Sequence, residues 1–316
     1  MHRDGRTEPV DRLDAAWLRP ESGALVWADL LQPGPDEARV LREVFGLHEL
    51  AVEDALETVH HPKIETYDGS LYIVLHGIDF RPEAHGFATH DIDFFLSPRL
   101  LVTVHDGRRR SIGHVFDLAL RNPFVLAEGP VRLLHRIVDT LVDHYRPEID
   151  ALEERLDDLE QRVLERPNDT VTADILEAKR DITSLRRVVV PQRDIVGRLA
   201  RREFDQIDQE MAYRFRDVHD QLVRMADDAI IFQDRVTGIL DAHLASVSNR
   251  LGQVSKLVAV IATLFGPLTV ITGLYGMNVQ LPVLPGGEDA QFWWVLLLMA
   301  SASTAMYAWF RRSGWL

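Results

Sequence analysis

Cysteine is absent from the 316 residues, which excludes disulfides, thiolate metal sites and cysteine nucleophiles. Basic charge is in deficit: 35 Lys and Arg stand against 49 Asp and Glu, a net charge of -14. A chain of this sign lacks the excess cations that non-specific phosphate binding needs, so no nucleic-acid partner is expected. The chain also lacks a P-loop, a Gly-x-Ser-x-Gly elbow and a His-Glu-x-x-His helix. Neither nucleotide-driven transport nor these hydrolytic chemistries are therefore expected, and no resident cofactor. No internal repeat or low-complexity linker breaks the sequence. The mean hydropathy of -0.08 is that of an ordinary soluble protein, but it averages over two very different parts.

Charge itself is missing from two long stretches near the end. Leu257–Leu274 is 18 residues without a charge, and Phe292–Phe310 is another 19. As a helix the first spans about 27 Å, close to a bilayer core of about 30 Å. Two such runs in succession read as a membrane hairpin rather than as core helices. Residues 256–316 carry Lys256, Arg311 and Arg312 against Glu288 and Asp289, a net of +1, which leaves -15 on residues 1–255. Arg250 and Lys256 precede the hairpin and Arg311 and Arg312 follow it. The positive-inside rule then places both termini in the cytoplasm and residues 275–291 outside. The aromatic residues Trp293, Trp294, Tyr307, Trp309 and Trp315 lie near the ends of the second run, where interfacial belts form. The start, MHRDGRTEPVDRLD, has no apolar h-region, so no signal peptide is expected.

The acidic part divides by periodicity. Strands are expected at Ala24–Leu30, Ile64–Tyr67, Leu71–Ile78, Asp91–Leu96 and Leu100–His105, separated by turn signals such as Asp68-Gly69 and Ser97-Pro98. Helices are expected at Ala38–Phe45 after Pro35, at His48–Glu57 and at Ile112–Leu120. From Val131 one long helix is expected to reach Glu165, with Ile149, Leu152, Leu156, Leu159 and Val163 as its apolar stripe. Asp150, Asp157 and Glu160 on its other faces read as a solvated surface. A second helix runs to about Arg202, bent at Pro191. A third starts near Met211 and carries Leu222, Met225, Ala229, Phe232, Val236, Ile239, His243 and Ser246 at heptad-like spacing. Continuous to Asn278 it is about 100 Å long; a break near Ser246–Gly252 is the competing expectation. The fold class is α+β. It comprises a cytoplasmic α/β domain at 1–125, long stalk helices at 126–250, and a transmembrane hairpin at 251–316 with helices at about 254–275 and 292–310.

Two helices from one chain cannot enclose a water-filled path, so a pore needs several copies around an axis. The first run is the better pore-lining candidate, with Thr263, Thr269 and Thr272 beside Gly266 and Gly273. Pro267 frees the backbone carbonyl of Thr263, tolerable in a bilayer only where protein or water satisfies it.

The first run ends in Gly276-Met277-Asn278, and Gly-Met-Asn after the penultimate helix of a C-terminal hairpin resembles the signature of the CorA family of divalent-cation channels. Tyr213–Val218, Leu244–Arg250, Pro267-Leu268-Thr269, Gly273-Leu274-Tyr275, Val52-Glu53-Asp54 and His61–Glu65 are similar to further family segments. The resemblance implies a homopentamer in the cell (inner) membrane with a cytoplasmic funnel. It implies Mg2+ transport with Co2+ or Ni2+ tolerated, and closure when cytoplasmic Mg2+ binds between protomers. On this reading Gly276, Met277 and Asn278 form the filter. Thr269, Gly266, Ala262, Val258 and Ser255 line the pore, with an apolar constriction at Val258 and Ala262. Asp217 and then Asp241 are the regulatory carboxylates, and Glu288 and Asp289 stand at the outer mouth. Asn278 also suits a helix C-cap, and the small residues also suit helix packing.

The outer loop departs from the family pattern. No glutamate follows Asn278 closely, which bears on ion choice because this loop helps collect the cation, and Gly266 stands where many relatives have Met, which implies a wider pore. A ZntB-type Zn2+ transporter is the alternative, although His60, His61, His76, His85 and His90 lack metal-site spacing. A membrane-anchored enzyme and a membrane-tethered scaffold without ion flux are the readings from other classes.

Overall fold

The computed structural model describes residues 1–4, 6–10, 14–56, 61–81, 86–107, 110–165, 169–277, 285 and 288–315. They form two compact units, Met1–Leu240 and Asp241–Leu316.

The first unit begins with a short ladder, β1 (His2–Arg3) and β2 (Arg6–Thr7), followed by β3 (Val26–Leu31), α1 (Pro35–Glu43) and α2 (Glu49–Leu56). Then come β4 (Lys63–Tyr67), β5 (Ser70–Arg81), β6 (Gly86–Ser97) and β7 (Leu100–His105). Among the described residues five strands make one sheet in the order β3-β7-β6-β5-β4. Strand β3 runs parallel to β7, and the other pairs are antiparallel. Asp68 and Gly69 both take positive φ, 42° and 87°, and join β4 to β5 with Tyr67 opposite Ser70. This is the two-residue hairpin that an Asp-Gly pair favours. Helix α1 starts as its sequence indicates. Pro35 needs no N–H in the first turn, and the Glu37 carboxylate accepts the Gly34 N–H at 3.0 Å.

Strand alternation buries both faces of the sheet. Leu71, Ile73 and Leu75 of β5 join Ile92, Phe94 and Leu96 of β6 in the larger core, whereas Tyr72, Val74 and Phe95 face the smaller core with α1 and α2. The larger core is closed by α3 (Arg110–Arg121), α4 (Phe124–Ala127), α5 (Pro130–Asp143), α6 (Tyr145–Glu165), α7 (Asp169–Ala200) and the first part of α8 (Gln209–Tyr275).

The single helix expected from Val131 to Glu165 is two helices, interrupted at His144. Pro147 is the reason: it has no N–H for the Asp143 carbonyl, and its ring crowds that carbonyl. The break places Tyr145 fully inside the core, where its hydroxyl donates to the His76 carbonyl and receives Gln192 Nε2 at 2.8 Å. Pro191 lies within α7. Helix α7 continues through it, and Gln192 Nε2 also reaches the Val188 carbonyl at 3.3 Å.

The expected stripe of α6 is buried, from Ile149 to Val163. Its exposed acids are drawn into ion pairs: Arg235 of α8 meets Asp157 at 2.5 Å and Glu160 at 3.1 Å. Arg155 reaches Glu177 and Asp181 of α7, each at 2.7 Å. Asp150 pairs with Arg146 at 2.8 Å. Leu222, Met225, Ala229, Phe232, Val236 and Ile239 are buried along α8, and no break occurs at Ser246–Gly252.

The second unit holds the rest of α8 and α9 (Glu288–Arg312). Among the described residues two helices are long and apolar enough to cross a membrane. Their most apolar windows are only 6 % and 0 % buried, which core helices of a soluble protein would not be.

Two buried contacts in the sheet yield tests. A Cβ on Gly77 would fall on the ring of His90, which is buried. Gly77→Ala should therefore cost about 1–3 kcal/mol of stability, and a concurrent His90→Ala should recover part of it in a denaturation double-mutant cycle. The second is Asp93, which accepts the Tyr72 hydroxyl at 2.5 Å. Burial pushes its carboxyl up to about 7, outweighing the Tyr72 hydrogen bond, and Asp91 adds to the rise. The folded chain then holds a proton that the unfolded chain has lost above about pH 4. Stability should thus fall as pH rises from about 4 to about 7. Asp93→Asn, which still accepts from Tyr72, should remove that part of the slope in unfolding midpoints measured across the window.

Candidate ion-conducting surface

In its apolar half α8 has a covered side and an open side. Val260 is buried, and Leu264, Leu268, Ile271 and Tyr275 are half-buried along one stripe. At 3.6 residues per turn, Ser255, Val258, Ala262, Gly266 and Thr269 fall on the opposite stripe, and each of them is exposed. Apart from Val258 these residues are small. A Cβ added to Gly266 or Gly273 would meet nothing within 4 Å, so packing inside the chain does not require either glycine.

Hydroxyls on this half are turned into the helix by their protons. Thr269 Oγ1 donates to the Phe265 carbonyl at 2.9 Å, and Thr272 Oγ1 to the Leu268 carbonyl at 3.0 Å. What Thr269 keeps for an outside group is its lone pairs, an oxygen acceptor suited to a cation or its water. The helical bonding continues to Gly276, whose N–H reaches the Thr272 carbonyl at 2.8 Å, while the Met277 N–H reaches Leu274 at 3.3 Å. A Cβ on Gly276 would lie 3.0 Å from the Thr272 carbonyl, so this glycine does have a local steric role. Asn278 lies outside the described residues. Glu288 and Asp289 open α9, and what their side chains do at an outer mouth also lies outside the described atoms.

The regulatory candidates are both exposed on α8, Asp217 in the first unit and Asp241 in the second. Asp217 has acidic company that its own sequence segment does not reveal. Burial pushes the Asp139 carboxyl of α5 up, and the nearby carboxylates of Asp143 and Asp217 push the same way against His135. Asp139 and Asp143 are one helical turn apart, and that spacing was the available signal. Next to them a small cavity of about 110 Å³ is lined by Glu128, Arg132, His135, Arg136, Asp139, Met211 and Arg214. Burial lowers the His135 pKa, and its ring meets Phe215 edge-on at 5.2 Å. The arginines turn to glutamates: Arg132 and Arg214 to Glu210 at 2.6 and 3.2 Å, and Arg136 to Glu128 at 2.7 Å. Among the described residues of the chain no three His, Asp or Glu are arranged to hold a metal ion.

The sequence also gave no hint of a cleft of about 490 Å³ whose lining includes His90, Asp91, Asp93, His105 and Asp106. There His76 Nδ1 lies 2.6 Å from Asp91. His105 Nδ1 accepts the Gly107 N–H at 3.0 Å, which leaves Nε2 to face Asp29 at 3.2 Å. His60 and His85 lie outside the described residues, and His61 is exposed.

The chain is similar to known proteins over most of its length. The sequence is 32 % identical over 291 residues to the cobalt/magnesium transport protein CorA of Thermotoga maritima, covering 89 % of this chain and 80 % of that one. It is 25 % identical over 294 residues to the zinc transport protein ZntB of Yersinia pseudotuberculosis, covering 92 % and 88 %. The complete structure of the CorA magnesium transporter from Methanocaldococcus jannaschii shares the fold, with a TM-score of 0.82 at 23 % identity over 93 % of this chain and 92 % of that one. The family described as CorA-like Mg2+ transporter protein matches residues 22–312, and the chain therefore belongs to that family of membrane divalent-cation transporters rather than to any family of enzymes.

Proposed function

We propose that the chain forms a homopentameric channel in the cell (inner) membrane that takes up divalent cations, chiefly Mg2+ with Co2+ and Ni2+ tolerated. The observation that carries this reading is the open stripe of α8, whose small residues are exposed in a single chain and opposite its covered side. Five such stripes around an axis make a narrow, smooth wall. The relatives named for cobalt and magnesium transport support the choice of ion. Both termini are cytoplasmic in this reading, which the basic flanks Arg250, Lys256, Arg311 and Arg312 support.

The chemistry follows from the ion. Mg2+ sheds water reluctantly and prefers octahedral oxygen coordination. Neutral amides of an Asn278 ring, with close backbone approach at Gly276 and Met277, would hydrogen-bond the hydrated ion without stripping it. Thr269 would add an oxygen ring deeper in, and Val258 and Ala262 an apolar constriction that gates by dewetting. Glu288 and Asp289 would raise the local cation concentration at the outer mouth. Inside, Mg2+ bound at Asp217 of one subunit and carboxylates of its neighbour would offset their mutual repulsion. Its loss would shift the ring toward the open state, with Asp241 as the second such site.

Two measurements test this. Asn278→Ala should lower Mg2+ influx into proteoliposomes at least about tenfold with the assembly intact by size-exclusion chromatography; undiminished influx contradicts the filter. Asp217→Ala should raise the internal Mg2+ concentration needed for closure. Running Mg2+, Co2+ and Zn2+ in parallel separates this channel from a Zn2+ transporter like the ZntB relatives, and from a scaffold that conducts nothing.

A further inference from the structure

Helix α9 ends in a motif that holds a cation. The Trp315 N–H reaches the Phe310 carbonyl at 2.9 Å, the Gly314 N–H reaches Arg311 at 3.4 Å, and Gly314 has φ +70°. These are the two reverse bonds and the left-handed residue of a Schellman ending, including its apolar contact, for Trp315 lies 5.9 Å from the ring of Phe310. The turn exposes the Gly314 carbonyl and one face of the Trp315 ring. Lys256 of α8 occupies both: its Nζ donates to the Gly314 carbonyl at 3.1 Å and stands 5.8 Å from the Trp315 ring centroid. All of these residues belong to the second unit.

The position of Lys256 gives the contact its consequence. The chain has three lysines, Lys63, Lys179 and Lys256, and Lys256 alone adjoins the apolar run of α8. Its neighbour Ser255 is on the open stripe, but Lys256 itself is about 100° further round, toward the covered side that includes Val260. An ammonium at this depth needs a partner. Held by Gly314 and Trp315 it stays beside α9. Set free, its four-carbon stem is long enough to swing toward the Ser255 stripe, where a positive charge opposes cation passage. We infer that the end of α9, through Gly314 and Trp315, is a latch that keeps the Lys256 charge off the ion path. This rests on the reading of the α8 stripe as the pore wall.

The test uses the full-length protein in proteoliposomes, with two readouts. In the first, a water-soluble acylating reagent labels the lysines and peptide mass spectrometry reads the rates. Lys256 should react more slowly than exposed Lys179, and Trp315→Ala should accelerate Lys256 severalfold without changing Lys179. Unchanged labelling of Lys256 overturns the latch. In the second readout, Trp315→Ala should lower Mg2+ flux roughly three- to tenfold. Lys256→Gln in that background should restore the flux, and Lys256→Gln alone should conduct at least as well as wild type, since the charge rather than the packing is at issue. A double variant as slow as Trp315→Ala, or Trp315→Ala flux equal to wild type, overturns the proposal. Wild-type protein that conducts no Mg2+ overturns the pore reading and the electrostatic role with it, while the labelling result still decides whether the latch exists.

Discussion

A backbone that leaves water must satisfy its own N–H and C=O groups, and α8 is arranged around that constraint. It is one continuous helix from Gln209 to Tyr275. Pro267 is the one position that removes a donor, and threonine hydroxyls cluster beside it: Thr269 and Thr272 donate back to the carbonyls of Phe265 and Leu268. Side chains then divide the helix lengthwise. Leu264 and Leu268 are half-buried on the covered side, and Gly266, Gly273 and Ser255 are exposed opposite it, with Ile261, Phe265 and Val270 exposed on the flanks. A helix that small on its open side gains little from lipid contact but permits close approach of another helix or an ion. The same property that makes the surface useless as a monomer core makes it suitable as one wall of a shared path.

The acidic unit holds its share of α8 by directed contacts as well as by apolar burial. Arg235 ties α8 to Asp157 and Glu160 of α6, and Arg155 ties α6 to Glu177 and Asp181 of α7. Asp181 is buried, so this last pair resists screening and depends on its geometry. The Tyr145–Gln192–His76 contact fastens α6 and α7 to the sheet. It stands where α5 stops and α6 starts, so the Pro147 break that ends one helix also aims the buried phenol.

Much of this was legible in the sequence, for local reasons. Asp68-Gly69 specifies its turn because the backbone there needs positive φ at both positions. The central strands read as nearly continuous apolar runs, such as Leu71–Leu75, because both faces of the sheet are covered, and the unburied windows of α8 and α9 are visible as uncharged runs. Other features were not legible, because they depend on pairs distant in the chain. Pro147 is the exception, a local signal that the apolar stripe of a single long helix hides, and it breaks that helix at His144. Asp139 carries no motif, and its proximity to Asp217 exists only because α5 packs on α8. The cleft containing His90, Asp93 and His105 arises from neighbouring strands and not from spacing. Asn278, the residue on which the family signature turns, was readable as sequence but lies outside the described residues.

The charge of the acidic unit is distributed in a way that bears on sensing. A net -15 on residues 1–255 would attract divalent cations anywhere if it were uniform, and a diffuse attraction makes no switch. Several acids of this unit have cationic partners: Asp157 and Glu160 have Arg235, Asp174 has Arg162 at 2.6 Å, and Glu210 draws both Arg132 and Arg214. Glu128 likewise draws Arg136, while the carboxylates of Asp143 and Asp217 raise the Asp139 carboxyl against the lowering effect of His135 and Arg136. A divalent ion gains most where the existing repulsion is greatest and where protein cations are already committed elsewhere. Asp217 is exposed there, and in the proposed ring a neighbouring subunit could reach it. Such a site would respond to both ion concentration and subunit approach, the two variables that a closing ring would couple.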